Sequence, residues 1–156
     1  LKTILAQQDI QVVMTREEDK GLYEETASNK KAQDLKKRCS LINEGQADCA
    51  VSIHQNSFTG ESSKGAQVFY HKSSEKGKRL AGILQQSIKE KADKENHRVE
   101  KANASYYMLR KVSCPIVIVE CGFLSNPDEE RLLNDEKYQK KMVEGIAEGI
   151  ENFLYK

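Results

Sequence analysis

The chain has 156 residues, which is enough for one domain with a substantial buried core. Its 25 basic and 24 acidic residues leave a formal charge of only +1, which argues against nucleic acid as a partner. No apolar run approaches the roughly 20 residues that a bilayer-spanning helix needs, so no transmembrane segment is predicted. No signal peptide is visible at the start of the chain.

Apolar periodicity predicts alternating helices and strands along the first half of the chain. Residues 1–5 have the apolar spacing of the end of a helix, and residues 9–15 have the β-branched pattern of a strand covered on both faces. Residues 16–26 are charged and lack periodicity, which is typical of a loop. A helix from about residue 28 to residue 44 and a strand at residues 47–54 follow.

The second half continues the same alternation of elements. A Ser- and Gly-rich loop at residues 58–64 precedes a predicted strand at 65–71 and a helix at 74–92. A polar segment at 93–104 and a short central strand at 116–119 follow, and then two helices, one after residue 126 and one at 138–154. Asn126, Pro127 and Glu129 have the spacing of a capping box at the start of the first of these last two helices. The pattern predicts a single α/β domain over residues 1–156, a layered mixed sheet with helices on both faces.

Two predicted strands are followed by polar side chains that have no place in an apolar core. His54 and Asn56 follow the strand at 47–54, and Glu120 follows four consecutive apolar residues. An unpaired buried carboxylate costs several kcal/mol, so Glu120 must face a cleft, a cation or a partner. Two hypotheses remain open: an ion pair with Arg110 or another base, and a general base that acts beside a metal-bound water.

The sequences around these residues, Val-Ser-Ile-His-Gln-Asn at 51–56 and Ile-Val-Glu-Cys-Gly-Phe-Leu-Ser-Asn-Pro at 118–127, resemble the zinc-dependent N-acetylmuramoyl-L-alanine amidases. The resemblance implies a zinc amidase-like fold, with His54 as a zinc ligand and Glu120 as the catalytic acid and base. It also implies that Asn56 and Arg110 hold the substrate or orient the reacting groups.

The start of that family's domain has no counterpart in this sequence. The family begins with a strand that leads into a Gly-His-Gly-Gly turn, whose His is one zinc ligand, and a Glu on the next helix is another. No Gly-His-Gly-Gly occurs here, so the chain is expected to be an N-terminally truncated part of the domain. The single zinc ion would take its other ligands from residues upstream of Leu1.

The resemblance implies a peptidoglycan hydrolase, located in the cell envelope or outside the cell, with zinc as its cofactor. Zinc-activated water would cleave the amide bond between the lactyl group of N-acetylmuramic acid and L-alanine. Similarity around residues 30–54 is greatest to the sporulation branch, which acts on the spore cortex, although vegetative autolysins share the same motifs. The resemblance does not identify an activator protein. The alternative function is that of an inactive wall-binding or regulatory module.

The remaining histidines and the cysteines are interpreted as structural. His71 and His97 match no ligand motif, and the four cysteines contain no Cys-x-x-Cys pair that would suggest a metal knuckle or a redox site. Cys39 lies on the apolar face of its predicted helix, as a small buried residue would. Cys121 adjoins Glu120, and a packing role is favoured over a nucleophilic one because no base accompanies it.

Overall fold

The structure, a computed structural model, describes all 156 residues. Its elements in chain order are α1 (Lys2–Ala6), α2 (Lys30–Glu44), β1 (Ala50–Asn56), β2 (Gln67–His71), α3 (Glu75–Ala92), β3 (Lys101–Asn103), α4 (Tyr107–Lys111), β4 (Ile116–Phe123), α5 (Pro127–Leu133) and α6 (Glu136–Tyr155). None of these helices combines the length and the hydropathy that a membrane crossing requires.

The four strands form one mixed sheet in the order β1-β4-β2-β3. β4 pairs in parallel with β1 and antiparallel with β2, while the short β3 runs parallel to β2 at the edge. All eight residues of β4 are buried, as expected for a strand with neighbours on both sides and helices above and below. The predicted central position of this strand is confirmed.

Alternate residues of β4 point into two separate apolar layers. Val117 and Val119 join a core built with α3 and α6, in which Leu84 and Ile146 are fully buried. On the opposite face, Ile116 and Ile118 pack with Phe69 of β2, Met108 and Leu109 of α4 and Cys39 of α2. Helices therefore cover both faces of the sheet, and the predicted layered α/β fold is confirmed.

Side-chain caps explain where most of the helices begin. Asn29, Ser74 and Asp135 each accept a backbone N–H three residues later, at the starts of α2, α3 and α6. Asn126 caps α5 in the same way, as predicted. The second half of the predicted capping box is wrong, because the Glu129 carboxylate does not return to Asn126 but accepts the N–H groups of Gly65, which precedes β2, and of Phe123 in β4.

The predicted strand at residues 9–15 is not formed, and this segment is irregular. Ile10 and Val12 pack against the larger core, whereas Val13 and Met14 are 74% and 48% exposed. A strand requires a partner for its backbone groups, and none of the four strands of the sheet pairs with this segment. The β-branched pattern therefore predicted extended, partly buried chain correctly but not a ladder of hydrogen bonds.

Other differences concern short elements and strand ends. β3 lies inside the segment 93–104, for which no strand was predicted, and α4 was also missed. β1 begins three residues later than predicted and continues through Asn56. β4 continues through Phe123, so Glu120 lies within the strand rather than after it. This last difference places the Glu120 backbone in register with both neighbouring strands.

Candidate active site

The two main candidate residues lie side by side in the sheet. His54 of β1 pairs directly with Glu120 of β4, and Glu120 pairs in turn with Gln67 of β2. Directly paired residues project from the same face of a sheet, so these three side chains form one row across three strands. The row lies on the face covered by α2 and α4. The sheet thus brings together the His54 and Glu120 motifs, which are distant in the sequence.

A β-bulge follows this row and brings a fourth side chain to the same face. Between His54 and Asn56 there is one residue, but two residues separate their partners Glu120 and Phe123. The extra residue in β4 resets the alternation, so Phe123 projects on the same face as Glu120. Without the bulge, Phe123 would face the opposite core.

The Glu120 carboxyl group is buried and unpaired. The residue is 9% exposed, and its Oε2 atom is enclosed without any hydrogen-bond partner. Burial raises the pKa of this carboxyl group, since the charged form loses hydration. Arg110 lies exposed on α4 and forms no ion pair with Glu120. The charge-pair hypothesis for Glu120 therefore has no support in the geometry.

The His54 imidazole is partly open to solvent, but the protein around it favours its neutral form. Its Nε2 atom lies 2.9 Å from the Ser52 hydroxyl oxygen, two residues back along the same strand. Burial by surrounding protein atoms lowers the pKa of His54, and the guanidinium groups of Arg38 and Arg16 lower it further. A neutral imidazole is the form that can donate a lone pair to a metal ion.

Arg38 is itself fixed by an ion pair with a buried carboxylate. Its Nε atom lies 2.8 Å from Asp34 on the preceding turn of α2. Asp34 also accepts the backbone N–H of Leu22 at 2.7 Å, which attaches the irregular segment before α2 to this helix. Burial opposes ionisation of Asp34, but the Leu22 N–H and Arg38 outweigh it and hold its pKa below the usual 3.8.

The backbone of Asn56, and not its side chain, connects the end of β1 to the loop that follows β4. The side-chain oxygen accepts the N–H of Ser57, while the backbone carbonyl of Asn56 accepts the N–H of Leu124 at 2.8 Å. A second bond, from the Phe58 N–H to the Ser125 hydroxyl at 3.0 Å, ties the loop after β1 to the same loop. A role of the Asn56 amide toward substrate stays a prediction, as does that of Arg110.

The sequence did not predict Gln67 of the row or three residues near it, Arg98, Tyr106 and Glu129. Burial and the nearby Glu120 carboxylate raise the pKa of Tyr106. The Glu129 carboxylate, 8% exposed, accepts the N–H groups of Gly65 at 2.6 Å and Phe123 at 2.8 Å. Of these residues, only Glu129 was noted in the sequence, where its position three residues after Asn126 suggested a capping box.

The side chains interpreted as structural are placed accordingly. His71 lies at the opposite end of β2 and bonds the Ser73 hydroxyl at 2.8 Å, and His97 is exposed. Cys39 and Cys121 are buried in the two cores. Burial raises the pKa of the Cys121 thiol to about 12, so it is not a thiolate at neutral pH. The packing interpretation of Cys121 is therefore favoured.

The chain's own residues do not complete a metal site. No group of three or more His, Cys, Asp or Glu side chains is arranged to hold an ion. His54 and Glu120 are adjacent, but a protein zinc site uses three or four ligands. These 156 residues therefore fit a zinc ion only as one part of its ligand set.

Comparison with known proteins gives a consistent result. The profile of the N-acetylmuramoyl-L-alanine amidase type 3 family matches residues 1–152. The germination-specific N-acetylmuramoyl-L-alanine amidase of Bacillus subtilis is 33% identical over 153 residues, which are 96% of this chain and 64% of that protein. A probable cell wall amidase, LytH of Staphylococcus epidermidis, is 27% identical, and the match covers 46% of its length. The chain thus spans about half to two thirds of these relatives.

Solved structures show the same similarity in three dimensions. The CwlD amidase of Clostridioides difficile, solved in complex with the GerS lipoprotein, superposes with a TM-score of 0.94 at 37% identity, covering 98% of this chain and 80% of that one. The catalytic domain of CwlV from Bacillus (Paenibacillus) polymyxa gives a TM-score of 0.84 at 30% identity, covering 98% and 78%. The chain belongs to the N-acetylmuramoyl-L-alanine amidase type 3 family.

Proposed function

We propose that the protein is a peptidoglycan hydrolase that cleaves the amide bond between the lactyl group of N-acetylmuramic acid and the L-alanine of the stem peptide. The observation that supports this most directly is the Glu120 carboxyl group, buried and unpaired beside His54 within the central strand β4. Family membership and the names of the relatives agree with the reaction.

In this proposal Glu120 moves the protons of the reaction. Its raised pKa makes it a stronger base than an exposed carboxylate, so it can accept a proton from the attacking water. The same carboxyl group then donates that proton to the departing alanine nitrogen. The absence of a cationic partner within the protein keeps both oxygens available for this work.

His54 is proposed to be a metal ligand. The family is generally zinc-dependent, and the neutral imidazole is suited to bind zinc, which would activate water. Because this chain does not assemble three ligands, no step is assigned to the ion. The expectation that the other ligands lie upstream of Leu1 stays a prediction. The residues encoded there would test it, through a Gly-His-Gly-Gly turn followed by a Glu.

We also propose that the protein acts in the cell envelope, in the branch that modifies the spore cortex. The Bacillus subtilis relative is named for germination, and the Clostridioides difficile relative was solved with a lipoprotein. A lipoprotein partner is therefore proposed for this protein as well. Vegetative wall and spore cortex would be distinguished by measuring cleavage of purified peptidoglycan from each source.

The Glu120→Gln variant tests the proposed reaction. Gln has nearly the same size but cannot accept the proton of water, so cleavage should fall by about 10² to 10⁴ while zinc content persists. The assay measures the new N-terminal alanine released from purified peptidoglycan with zinc supplied, using the protein with whatever sequence is encoded upstream of Leu1. His54→Ala should lower zinc content and cleavage together. Glu130→Gln, on the exposed side of α5, is the matched control.

Two results would contradict parts of this proposal. Cleavage by Glu120→Gln at the unaltered rate would remove Glu120 from the reaction. Failure of the unmutated protein to cleave, with wall binding intact and zinc and a lipoprotein partner supplied, would instead favour the wall-binding or regulatory module.

A further inference from the structure

Arg98 lies beside the candidate active site and is held there by three contacts. Its Nε atom donates to the Lys64 carbonyl oxygen at 2.6 Å, and Nη1 donates to the Gln67 side-chain oxygen at 3.1 Å. The guanidinium carbon lies 4.7 Å from the centroid of the Phe123 ring. Gln67 is the residue paired with Glu120, and Phe123 is the residue that the bulge brings to the same face.

The positive charge of Arg98 has no carboxylate partner in the protein. None of the ion pairs in the structure includes it. The neighbouring carboxylate, Glu129, uses its two oxygens for the N–H groups of Gly65 and Phe123. The Arg98 Nη2 atom has no acceptor in the protein and is not enclosed. A fixed guanidinium group thus presents an unused donor to solvent beside Gln67 and Phe123, at the edge of the row that contains Glu120.

Such an arrangement suits a carboxylate ligand. The planar guanidinium group recognises a carboxylate through charge-assisted hydrogen bonds, and its three contacts reduce the side-chain entropy lost on binding. Arg110, the residue suggested by the sequence, is exposed on α4 and makes no side-chain contact that would hold it toward Glu120. Arg98 is therefore the better placed cation.

The distance from Glu120 indicates which part of a substrate could reach Arg98. Neighbouring strands are about 4.8 Å apart, so a guanidinium group one side chain beyond Gln67 is roughly 10 Å from the Glu120 position. An extended peptide advances about 3.3–3.6 Å per residue. The interval corresponds to roughly three residues of the stem peptide.

We propose that Arg98 binds a carboxylate of the substrate's stem peptide, within about three residues of the bond that is cleaved. This inference rests on the proposed function for the identity of the peptide. Binding through Arg98 would fix the direction of the peptide across the row formed by His54, Glu120 and Gln67, and so place the amide bond at Glu120.

The test is direct binding of two matched ligands to the protein that carries Glu120→Gln, which prevents turnover. The probes are N-acetylmuramoyl-L-alanyl-D-glutamyl-L-lysine and the same molecule with every peptide carboxyl group amidated, and dissociation constants are measured by calorimetry. Arg98→Met should weaken binding of the carboxylate ligand by about 10- to 100-fold and leave binding of the amidated ligand within twofold. Arg98→Lys should give an intermediate loss, because it retains the charge but not the planar donor pair.

Arg79 provides a matched control on the other side of the molecule. Its Nη1 atom donates to the Phe153 carbonyl oxygen at 3.2 Å, and its guanidinium carbon lies 4.9 Å from the Phe153 ring. Arg79→Met removes the same kind of stacked arginine far from the row, so binding of both ligands should be unchanged.

Several outcomes would overturn the assignment of Arg98. An equal loss of affinity for both ligands in Arg98→Met would indicate a purely structural role. A loss of affinity confined to Arg110→Met would assign the carboxylate to Arg110 instead. Failure of the Glu120→Gln protein to bind the carboxylate ligand would also overturn the assignment. If Arg98→Met does not fold, Arg98→Lys decides by the same comparison of ligands. If binding depends on the carboxylate but the protein with Glu120 intact does not cleave peptidoglycan, the proposed reaction is contradicted and the assignment of Arg98 stands. If the protein cleaves peptidoglycan but Arg98→Met does not change binding of the carboxylate ligand, the proposed reaction stands and the assignment of Arg98 is contradicted.

Discussion

Replacing Glu129 by Gln should destabilise the fold more than any exposed carboxylate substitution would. The Glu129 carboxylate is 8% exposed and accepts one backbone N–H at each oxygen, from Gly65 at 2.6 Å and Phe123 at 2.8 Å. An amide has one acceptor oxygen, and its NH2 group would face the other backbone N–H. A hydrogen bond to a charged group contributes about 1.5–3 kcal/mol, and an unpaired buried donor costs a further 1–3 kcal/mol.

We therefore expect Glu129→Gln to lower the free energy of unfolding by about 2–4 kcal/mol, a large part of a typical domain's stability. Urea unfolding followed by circular dichroism measures this difference. Hydrogen exchange should also become faster at the amides of Gly65 and Phe123. The control is Glu130→Gln, one residue along the same helix but exposed, which should change stability by less than about 0.5 kcal/mol. Equal stability of the two variants would refute the reasoning.

Two further predictions concern packing and pH. A methyl group at Gly145 of α6 would lie 2.9 Å from the Ile88 Cα atom, so Gly145→Ala should destabilise the fold by about 1–3 kcal/mol in thermal unfolding. A methyl group at Gly82 of α3 would meet no atom from outside its own helix closer than 3.9 Å, so Gly82→Ala should stabilise the fold by about 0.5–1 kcal/mol. Effects of the same sign in the two variants would contradict this prediction. Because the folded protein holds the pKa of Asp34 below 3.8, the charged carboxylate stabilises the fold above that pH through the Leu22 N–H and the ion pair with Arg38, and this contribution disappears as the pH falls through the folded pKa. Asp34→Asn should thus cost about 1–3 kcal/mol in urea unfolding at pH 7 and progressively less as the pH falls below 3.8, and a pH-independent cost would show that charge is not the cause.

The sequence predicted those parts of the site that depend on a local pattern. Glu120 was identifiable because a carboxylate next to four apolar residues is anomalous wherever the strand ends, and His54 because a resemblance supplied its context. Arg98 could not be found in this way, since it lies in a polar segment where any arginine would look solvated. Its position depends on contacts with Gln67 and Phe123, which are distant in sequence and meet only through strand pairing and a bulge.

The fold shows the same division between local and non-local information. The start of α5 followed from the capping residue Asn126, the long helices from their apolar spacing, and β4 from its apolar run. The error at residues 9–15 arose because periodicity reports which side chains are buried, whereas a strand also needs a neighbouring backbone. β3 has three residues, too few for any periodic signal, and exists because the edge of β2 supplies its hydrogen bonds.

The strand order determines when, during synthesis, the sheet can form. β1 and β2 follow one another in the chain but are not neighbours, and each makes its main pairing with β4. While the ribosome has released only the residues before Ile116, β1 lacks its β4 partner, and the row of His54, Glu120 and Gln67 does not exist. The nascent chain must therefore keep β1 and the inner edge of β2 without their β4 partner until its last quarter emerges, and unpaired strand edges favour aggregation at that stage.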